Sequence, residues 1–339
     1  MDDRERLGSW LDQQGIAPGE PIVLAPVGEG HSNPTFTLDR GDRTLVLRRR
    51  PAGNVHPSAH DVLREAAWMS ALAPLGVRVP EIVAACDDDS VLGVDFFVME
   101  RLVGHVPVDS LPPVLDTPEQ RRALAFEYVD ALVELHAVPV DAPALERFRR
   151  PGSYLDRQLR RFAELWEKNR TREIPGMDRI EACLLANRPA EEGVAVVHGD
   201  ARIGNAIFSE TTPVRLVGLF DWEMAAVGDP LADLGYMLGI WPEAGEPEDP
   251  LLIVGRLSRR PGFPTRDELV DHYARRSGRD VSQIRFYEVL ALWKAIVIME
   301  GNYKRWLAGG IDNDFFATYE DGLAQIAARA EELCAEVVG

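Results

Sequence analysis

The sequence predicts an α+β protein in two unequal parts, a small β-rich one followed by a larger helical one. Three observations carry this reading. Short apolar and β-branched runs crowd the first hundred residues, helical spacing dominates from Pro118 onward, and Pro107, Pro112 and Pro113 mark a joint after Gly104. The division is placed at residues 1–103 and 104–339. A chain of 339 residues, 46% hydrophobic and 27% charged, has the composition of a globular protein long enough for two cores.

The elements follow in order. Residues 3–14 carry Leu7, Trp10 and Leu11 at helical spacing. Strand-like runs come at Pro21–Val27, Thr35–Asp39 and Thr44–Arg50, with Gly41-Asp42 as the hairpin turn between the last two. Ser58–Leu72 reads as a helix opened by its serine, with Val62, Ala66, Met69 and Leu72 on one face. Glu81–Cys86 and Val94–Leu102 read as strands. In the second part, short strands at Val194–Val197, Ala206–Phe208 and Leu216–Phe220 interrupt the helices. Further helices are expected over Pro230–Ile240, Thr265–Arg276, Ser282–Leu307 and Asp314–Val337.

Composition excludes several classes of function. The net charge of −18 leaves no basic stripe for nucleic acid or an anionic membrane surface, and mildly favours cationic ligands. No apolar run approaches the roughly 18 residues a membrane helix needs. The start of the chain lacks the apolar segment of a secretory signal, so a cytoplasmic protein is expected. Cys86, Cys183 and Cys334 stand apart with no CxxC pair, which fits buried thiols in a reducing compartment.

One constellation carries chemistry. Residues 196–208 read V-V-H-G-D-A-R-I-G-N-A-I-F, so a strand ends at His198-Gly199, Asp200 follows in the loop, and Asn205 precedes the next strand. A third strand then leads into Phe220-Asp221-Trp222-Glu223. Phosphoryl transfer needs a carboxylate to take a hydroxyl proton, and oxygen ligands for Mg²⁺ on the phosphates. Asp200, Asn205 and Asp221 supply that set from strand ends, where a rigid backbone aims them.

H-G-D-x-x-x-x-N followed by D-W-E resembles the catalytic and metal motifs of the aminoglycoside phosphotransferase and choline kinase superfamily, whose counterparts in protein kinases are H-R-D-x-x-x-x-N and D-F-G. The resemblance runs from about residue 20 to 310. It implies a protein-kinase-like two-lobed α+β fold, ATP and Mg²⁺ as cofactors, and a small-molecule hydroxyl as acceptor. Asp200 is then the catalytic base, with Asn205 and Asp221 on the metal. The loop Gly28–Phe36 resembles the family's G-x-S-N-x-x-F form, which puts Gly30, Ser32 and Asn33 at the phosphates. Val46 falls where a small residue covers adenine. Arg48 takes the place of the usual phosphate-binding lysine, with Arg50 next on the same face, and Glu65 is its expected carboxylate partner. Phe96–Leu102 resembles the hinge strand, with Met99 behind the base and the Glu100 carbonyl and Leu102 amide bonding its edge. Asp229 is expected to cap the next helix, while Asp233 and His198 hold the catalytic loop.

Arginine at 48 departs from the family and leaves a nucleotide-binding pseudokinase as the alternative. A protein kinase fits less well, because Gly228-Asp229-Pro230 follows Asp221 after only seven residues, without an A-P-E segment. The run L-V-L-R-R-R-P with S-A-H-D-V looks closest to kinase-like domains fused to acyl-CoA dehydrogenases, a branch associated with hydroxyacyl-CoA. The acceptor implied is therefore an aminoglycoside-like antibiotic, a hydroxylated metabolite or a hydroxyacyl-CoA. Large-lobe helices such as Ser282–Leu307, with Trp293, Lys294, Glu300 and Tyr303, would build its pocket or simply the core.

Overall fold

A computed structural model describes residues 3–27, 33–51, 61–246, 251, 253–310 and 313–338. The elements run α1 (Asp3–Gln13), β1 (Ile22–Pro26), β2 (Thr35–Arg40), β3 (Arg43–Arg49), α2 (Val62–Leu72), β4 (Ile82–Cys86), α3 (Asp89–Leu92), β5 (Phe96–Glu100), α4 (Pro118–His136), α5 (Tyr154–Asn169) and α6 (Met177–Ala186). They continue with β6 (Ala195–Val197), β7 (Ala206–Phe208), β8 (Leu216–Leu219), β9 (Ala226–Gly228), α7 (Leu231–Gly239), α8 (Arg266–Ser277), α9 (Ile284–Leu307) and α10 (Tyr319–Val338).

The chain divides into two compact units, Met1–Gly104 with Val217–Ala225, and His105–Leu216 with Ala226–Gly339. The excursion of 217–225 into the first unit differs from the simple cut at 103. It has a local cause. The Leu219 amide donates to the Arg78 carbonyl at 2.8 Å, and Arg64 of α2 donates to the carbonyls of Glu223 (2.9 Å) and Ala225. Gly218 lies so close to Leu102 that a Cβ there would come within 2.3 Å of the leucine Cδ1.

The first unit is a five-stranded antiparallel sheet in the order β1-β2-β3-β5-β4. Alternation along β3 sends Leu45 and Leu47 to one face, where they pack with Leu7, Trp10 and Leu11 of α1, Leu38 and Val98. Val46 and Arg48 turn to the other face, opposite Met99 and Phe97 in register. The helix α2 begins at Val62 and is capped by Asp61, whose carboxylate accepts from the Arg64 amide; Ser58, the expected opener, lies outside the described residues.

The second unit is mainly helical. A strand the sequence reading missed, β9, pairs antiparallel with β6, so that Ala195–Val197 run beside Ala226–Gly228. At three residues β9 is too short for alternation to show. Helix α7 starts one residue after Pro230, with the Asp229 carboxylate accepting from the Leu231 amide at 2.9 Å. Gly235 lets α7 lie directly on α9, because a Cβ there would sit 2.4 Å from that of Tyr287. The last helix begins at Tyr319 rather than Asp314, since Asn313 caps a separate 3₁₀ turn over Asp314–Thr318. Among the described residues, no helix is long and apolar enough to cross a membrane.

Candidate active site

The first unit gathers three of the expected residues around one guanidinium. Arg48 Nε donates to Glu65 Oε2 at 2.9 Å, and its Nη2 donates to Asp221 Oδ1 at 2.8 Å. Glu65 is only 2% exposed, so its carboxylate depends on that partner. Burial pushes the Glu65 carboxyl up to about 7; Arg48 pulls it down, and Asp221 and Glu223 add to the rise. For Arg48, burial works against the charge, but Glu65, Asp221 and Glu223 outweigh it and raise its pKa. The guanidinium therefore stays charged, and any proton the group takes goes to Glu65.

Asp221 sits at φ 69°, in the left-handed region where non-glycine residues are rare, and Ala17 is the other described case. Such strain persists only where surrounding contacts hold it. Arg48 grips the Asp221 carboxylate, and the indole of Trp222, fully buried, donates to the Leu219 carbonyl at 3.1 Å.

Arg50, the runner-up one residue beyond β3, lies beside Asp95. Its amide donates to the Asp95 carbonyl and its guanidinium lies 3.9 Å from the Asp95 carboxylate. Val46 faces Met99 across the β3–β5 ladder, so two side chains of modest size line one stretch of the sheet face. Glu100 is spent within the sheet edge: its amide donates to the Glu81 carbonyl and its carboxylate accepts from the Glu81 amide. The Leu102 amide makes no hydrogen bond among the described residues. Gly30 and Ser32 lie outside the described residues. Asn33, at the edge of that loop, is 3% exposed, and neither atom of its side-chain amide has a partner among them.

The second unit holds the H-G-D loop, where the catalytic base is expected. Asn205 Nδ2 donates to the Asp200 Oδ2 at 2.7 Å and to the Asp200 carbonyl at 3.0 Å. That leaves Asp200 Oδ1 and Asn205 Oδ1 buried with no partner among the described residues. Arg202 lies 3.5 Å from the Asp200 carboxylate. Burial, then the Asp200 charge, raise the Tyr236 phenol well above its ordinary value.

Behind the loop sits Asp233, fully buried on α7. It accepts from the His198 amide (2.6 Å), the Gly199 amide (2.8 Å) and His136 Nε2 (3.1 Å), while His136 Nδ1 lies 2.7 Å from the Tyr273 hydroxyl. Burial pushes the Asp233 carboxyl up, but His136, His198 and the loop amides more than offset it and hold it below the usual range. His198 Nδ1 accepts from the Asp200 amide at 3.3 Å. Asp229 also takes the Glu192 amide and the Tyr287 hydroxyl, at 3.0 and 2.7 Å. Sequence reasoning missed His136 and Tyr236, which lie in ordinary helical pattern with no motif to flag them. It missed Arg64 as well, the residue beside Glu65 that clamps the 223–225 backbone.

A β-sheet unit with a partly buried Arg–Glu–Asp cluster, and a helical unit with an H-G-D loop bonded to Asn205, fit a kinase-like α+β phosphotransferase fold. The chain belongs to the phosphotransferase enzyme family (APH), whose profile matches residues 23–286. It is 30% identical to human acyl-CoA dehydrogenase family member 11 over 335 residues, which is 95% of this chain and 42% of that protein. The chain thus spans less than half the length of that relative. The crystal structure of a candidate aminoglycoside phosphotransferase from Ralstonia eutropha superposes with a TM-score of 0.81 at 29% identity, covering 98% of both chains. A thermostable mutant of aminoglycoside phosphotransferase APH(4)-Ia, solved with ADP and hygromycin B, shares the fold with a TM-score of 0.64 at 15% identity, over 98% of each chain.

Proposed function

We propose that this chain is an ATP-dependent phosphotransferase that moves the γ-phosphate to a hydroxyl group of a small molecule. The observation that carries the reading is the Asp200–Asn205 pair, in which the amide fixes one carboxylate oxygen and leaves the other buried and unpartnered. An aspartate held in that way is a positioned proton acceptor. The acceptor hydroxyl oxygen forms a bond to the γ-phosphorus as the bond from phosphorus to the β-phosphate oxygen breaks. ADP leaves, and the hydroxyl proton passes to Asp200.

Magnesium suits the donors at hand. Asn205 Oδ1 is a buried carbonyl oxygen without a partner, and Asp221 offers a carboxylate on a strained, fixed backbone. Both are hard oxygen ligands of the kind Mg²⁺ takes alongside phosphates and water. When bound, the ion would neutralise charge on the phosphates. Arg48, oriented by Glu65, is assigned to the α- and β-phosphates, where its fork suits bidentate contact. Val46 and Met99 are assigned to the adenine walls, the Glu100 carbonyl and the free Leu102 amide to the adenine edge, and Gly30, Ser32 and Asn33 to the phosphates. Asp233 and His136 are positioning residues that act through the loop. The division into a nucleotide-binding unit and an acceptor-binding unit is part of this proposal, as is a cytoplasmic setting.

The acceptor class includes aminoglycoside-like antibiotics, hydroxylated metabolites and hydroxyacyl-CoA; similarity to the acyl-CoA dehydrogenase relative favours the last. Against the pseudokinase alternative stands the contact of Arg48 with Glu65, the carboxylate expected to orient a phosphate-binding cation. The test is ATP consumption by the purified chain against a panel of hydroxylated compounds, with product mass as readout.

A further inference from the structure

The helix α9 carries three buried charged residues, and two of them are paired. Glu288 accepts from Arg285 at 2.6 Å, and Glu300 accepts from the Thr171 amide and hydroxyl at 2.9 and 2.7 Å. Lys294 is the exception. It is 8% exposed, and its ammonium has neither a hydrogen bond nor an ion pair among the described residues. The Phe162 ring of α5, 4.9 Å from Nζ, supplies only part of the solvation that burial removes.

The charges facing Lys294 are Arg161 from α5, Asp233 from α7 and Asp200 from the catalytic loop. Burial, helped by Arg161, pulls its pKa down to about 8 against both carboxylates. An unpaired ammonium in such a place is costly, so a structural role alone does not explain it. Composition adds a second signal: of 37 Lys and Arg residues only three are lysines, and Lys168 and Lys304 are exposed. A third signal comes from another group under the Asp200 and Asp233 charges. The Tyr128 hydroxyl is buried and unpartnered, and it senses the Asp233, Asp200 and Arg202 charges.

We propose that Lys294 binds an anionic oxygen group, a carboxylate or a phosphate, on the acceptor whose hydroxyl is presented to Asp200. The inference rests on the reading of Asp200 as the base and narrows the acceptor to hydroxylated anions. A polycationic acceptor would meet like charge at Lys294, whatever the acidity of the rest of the surface.

The test uses the full chain without nucleotide. Acetic anhydride labelling is followed at each of the three lysines by mass spectrometry, with inorganic phosphate, 3-hydroxybutyrate or the polycation neomycin as probe. Lys294 should label in the free protein, and one or both anions should slow that labelling severalfold. Lys168 and Lys304 should be unaffected, and neomycin should do nothing. A Lys294 inert to the reagent in the free chain overturns the inference, as does protection by neomycin and by neither anion. A parallel ATP-consumption assay compares 3-hydroxybutyrate with neutral 1,3-butanediol. Turnover with neutral or cationic acceptors, together with no anion protection at Lys294, leaves the phosphotransferase reading standing and ends this one. Anion protection with no hydroxylated anion drawing on ATP, while neutral or cationic acceptors do, keeps the phosphotransferase reading and overturns the assignment of Lys294 to the acceptor. If the anion is a substrate, Lys294→Met should raise its KM by about thirtyfold or more, the usual scale for losing one partner of a buried charge pair, and Lys294→Arg should recover part of it.

Discussion

Arg48 and Asp221 are 173 positions apart in the chain, and the arginine Nη2 meets the aspartate Oδ1 at 2.8 Å. The same guanidinium holds Glu65 at 2.9 Å, so one side chain ties the sheet, the α2 helix and the D-W-E segment together. A lysine has a single nitrogen with which to reach both carboxylates, whereas the arginine fork divides the task between two. The departure from the family pattern at position 48 is thus matched by a geometry that uses it.

Removing that fork should damage binding and alignment together. Arg48→Ala is expected to raise the ATP KM and lower kcat, and Arg48→Lys to recover much of the loss. Steady-state kinetics on the two variants checks this. A change in affinity with kcat untouched in Arg48→Ala would favour the pseudokinase alternative.

Acidity offers a second handle on the same cluster. Glu65 titrates near 7 because burial raises it, so below that pH its hold on Arg48 weakens. The apparent affinity for ATP should fall as pH drops through 7, and in Glu65→Gln this dependence should flatten. Stability runs in the opposite sense. A carboxyl raised from 4.5 to about 7 binds more protons in the folded state, so its contribution is present below 4.5 and is lost as pH rises through 7. Wild type should therefore lose stability relative to Glu65→Gln across that window, which urea titrations at several pH values would show.

The two proposed magnesium ligands should separate by charge. Asp221→Ala is expected to abolish most of the magnesium-dependent thermal stabilisation by ATP, and Asn205→Ala to weaken it less, since a neutral ligand is lost. Equal stabilisation in wild type and Asp221→Ala would remove Asp221 from the metal.

Behind the loop, Asp233→Ala should cost about 3 kcal/mol or more, because it strands two loop amides and His136 in a fully enclosed site. The measurement is the denaturation midpoint. The depressed Asp233 carboxyl has the usual sign for a paired acid, so its stabilisation is present at neutral pH and disappears as pH falls below the ordinary carboxylate range.

Much of this was legible in the sequence, for reasons that differ by residue. Leu45 and Leu47 alternate with Val46 and Arg48, and a period of two fixes which face each takes, so the sheet assignment of Arg48 followed from spacing alone. The helix expected from Thr265 begins at Arg266, with Thr265 as its cap and Glu268 completing a capping box that the sequence reading did not single out. The helix read from Ser58 is described only from Val62, where the Asp61 carboxylate caps it; an aspartate there can open a helix as well as a serine three residues earlier. The excursion of 217–225 to the first unit depends on Arg64 and Arg78, contacts more than a hundred residues distant that no local pattern encodes. His136 and Tyr236 were invisible as partners for the same reason: each is ordinary in its own helix and acquires meaning only beside the H-G-D loop or its supports, whereas Lys294 was noticed in its helix but not told apart from the core.

Single-turnover phosphoryl transfer by wild type and Asp200→Asn, at saturating ATP and magnesium and with an acceptor from the hydroxyl panel, tests the proposed chemistry. Asparagine keeps the size and polarity of the site but cannot accept the hydroxyl proton. The variant should bind ATP as wild type does and transfer phosphate at least about a hundredfold more slowly, the usual contribution of a positioned general base. Transfer by Asp200→Asn at the wild-type rate would contradict the assignment of Asp200, and with it the mechanism built on the Asp200–Asn205 pair.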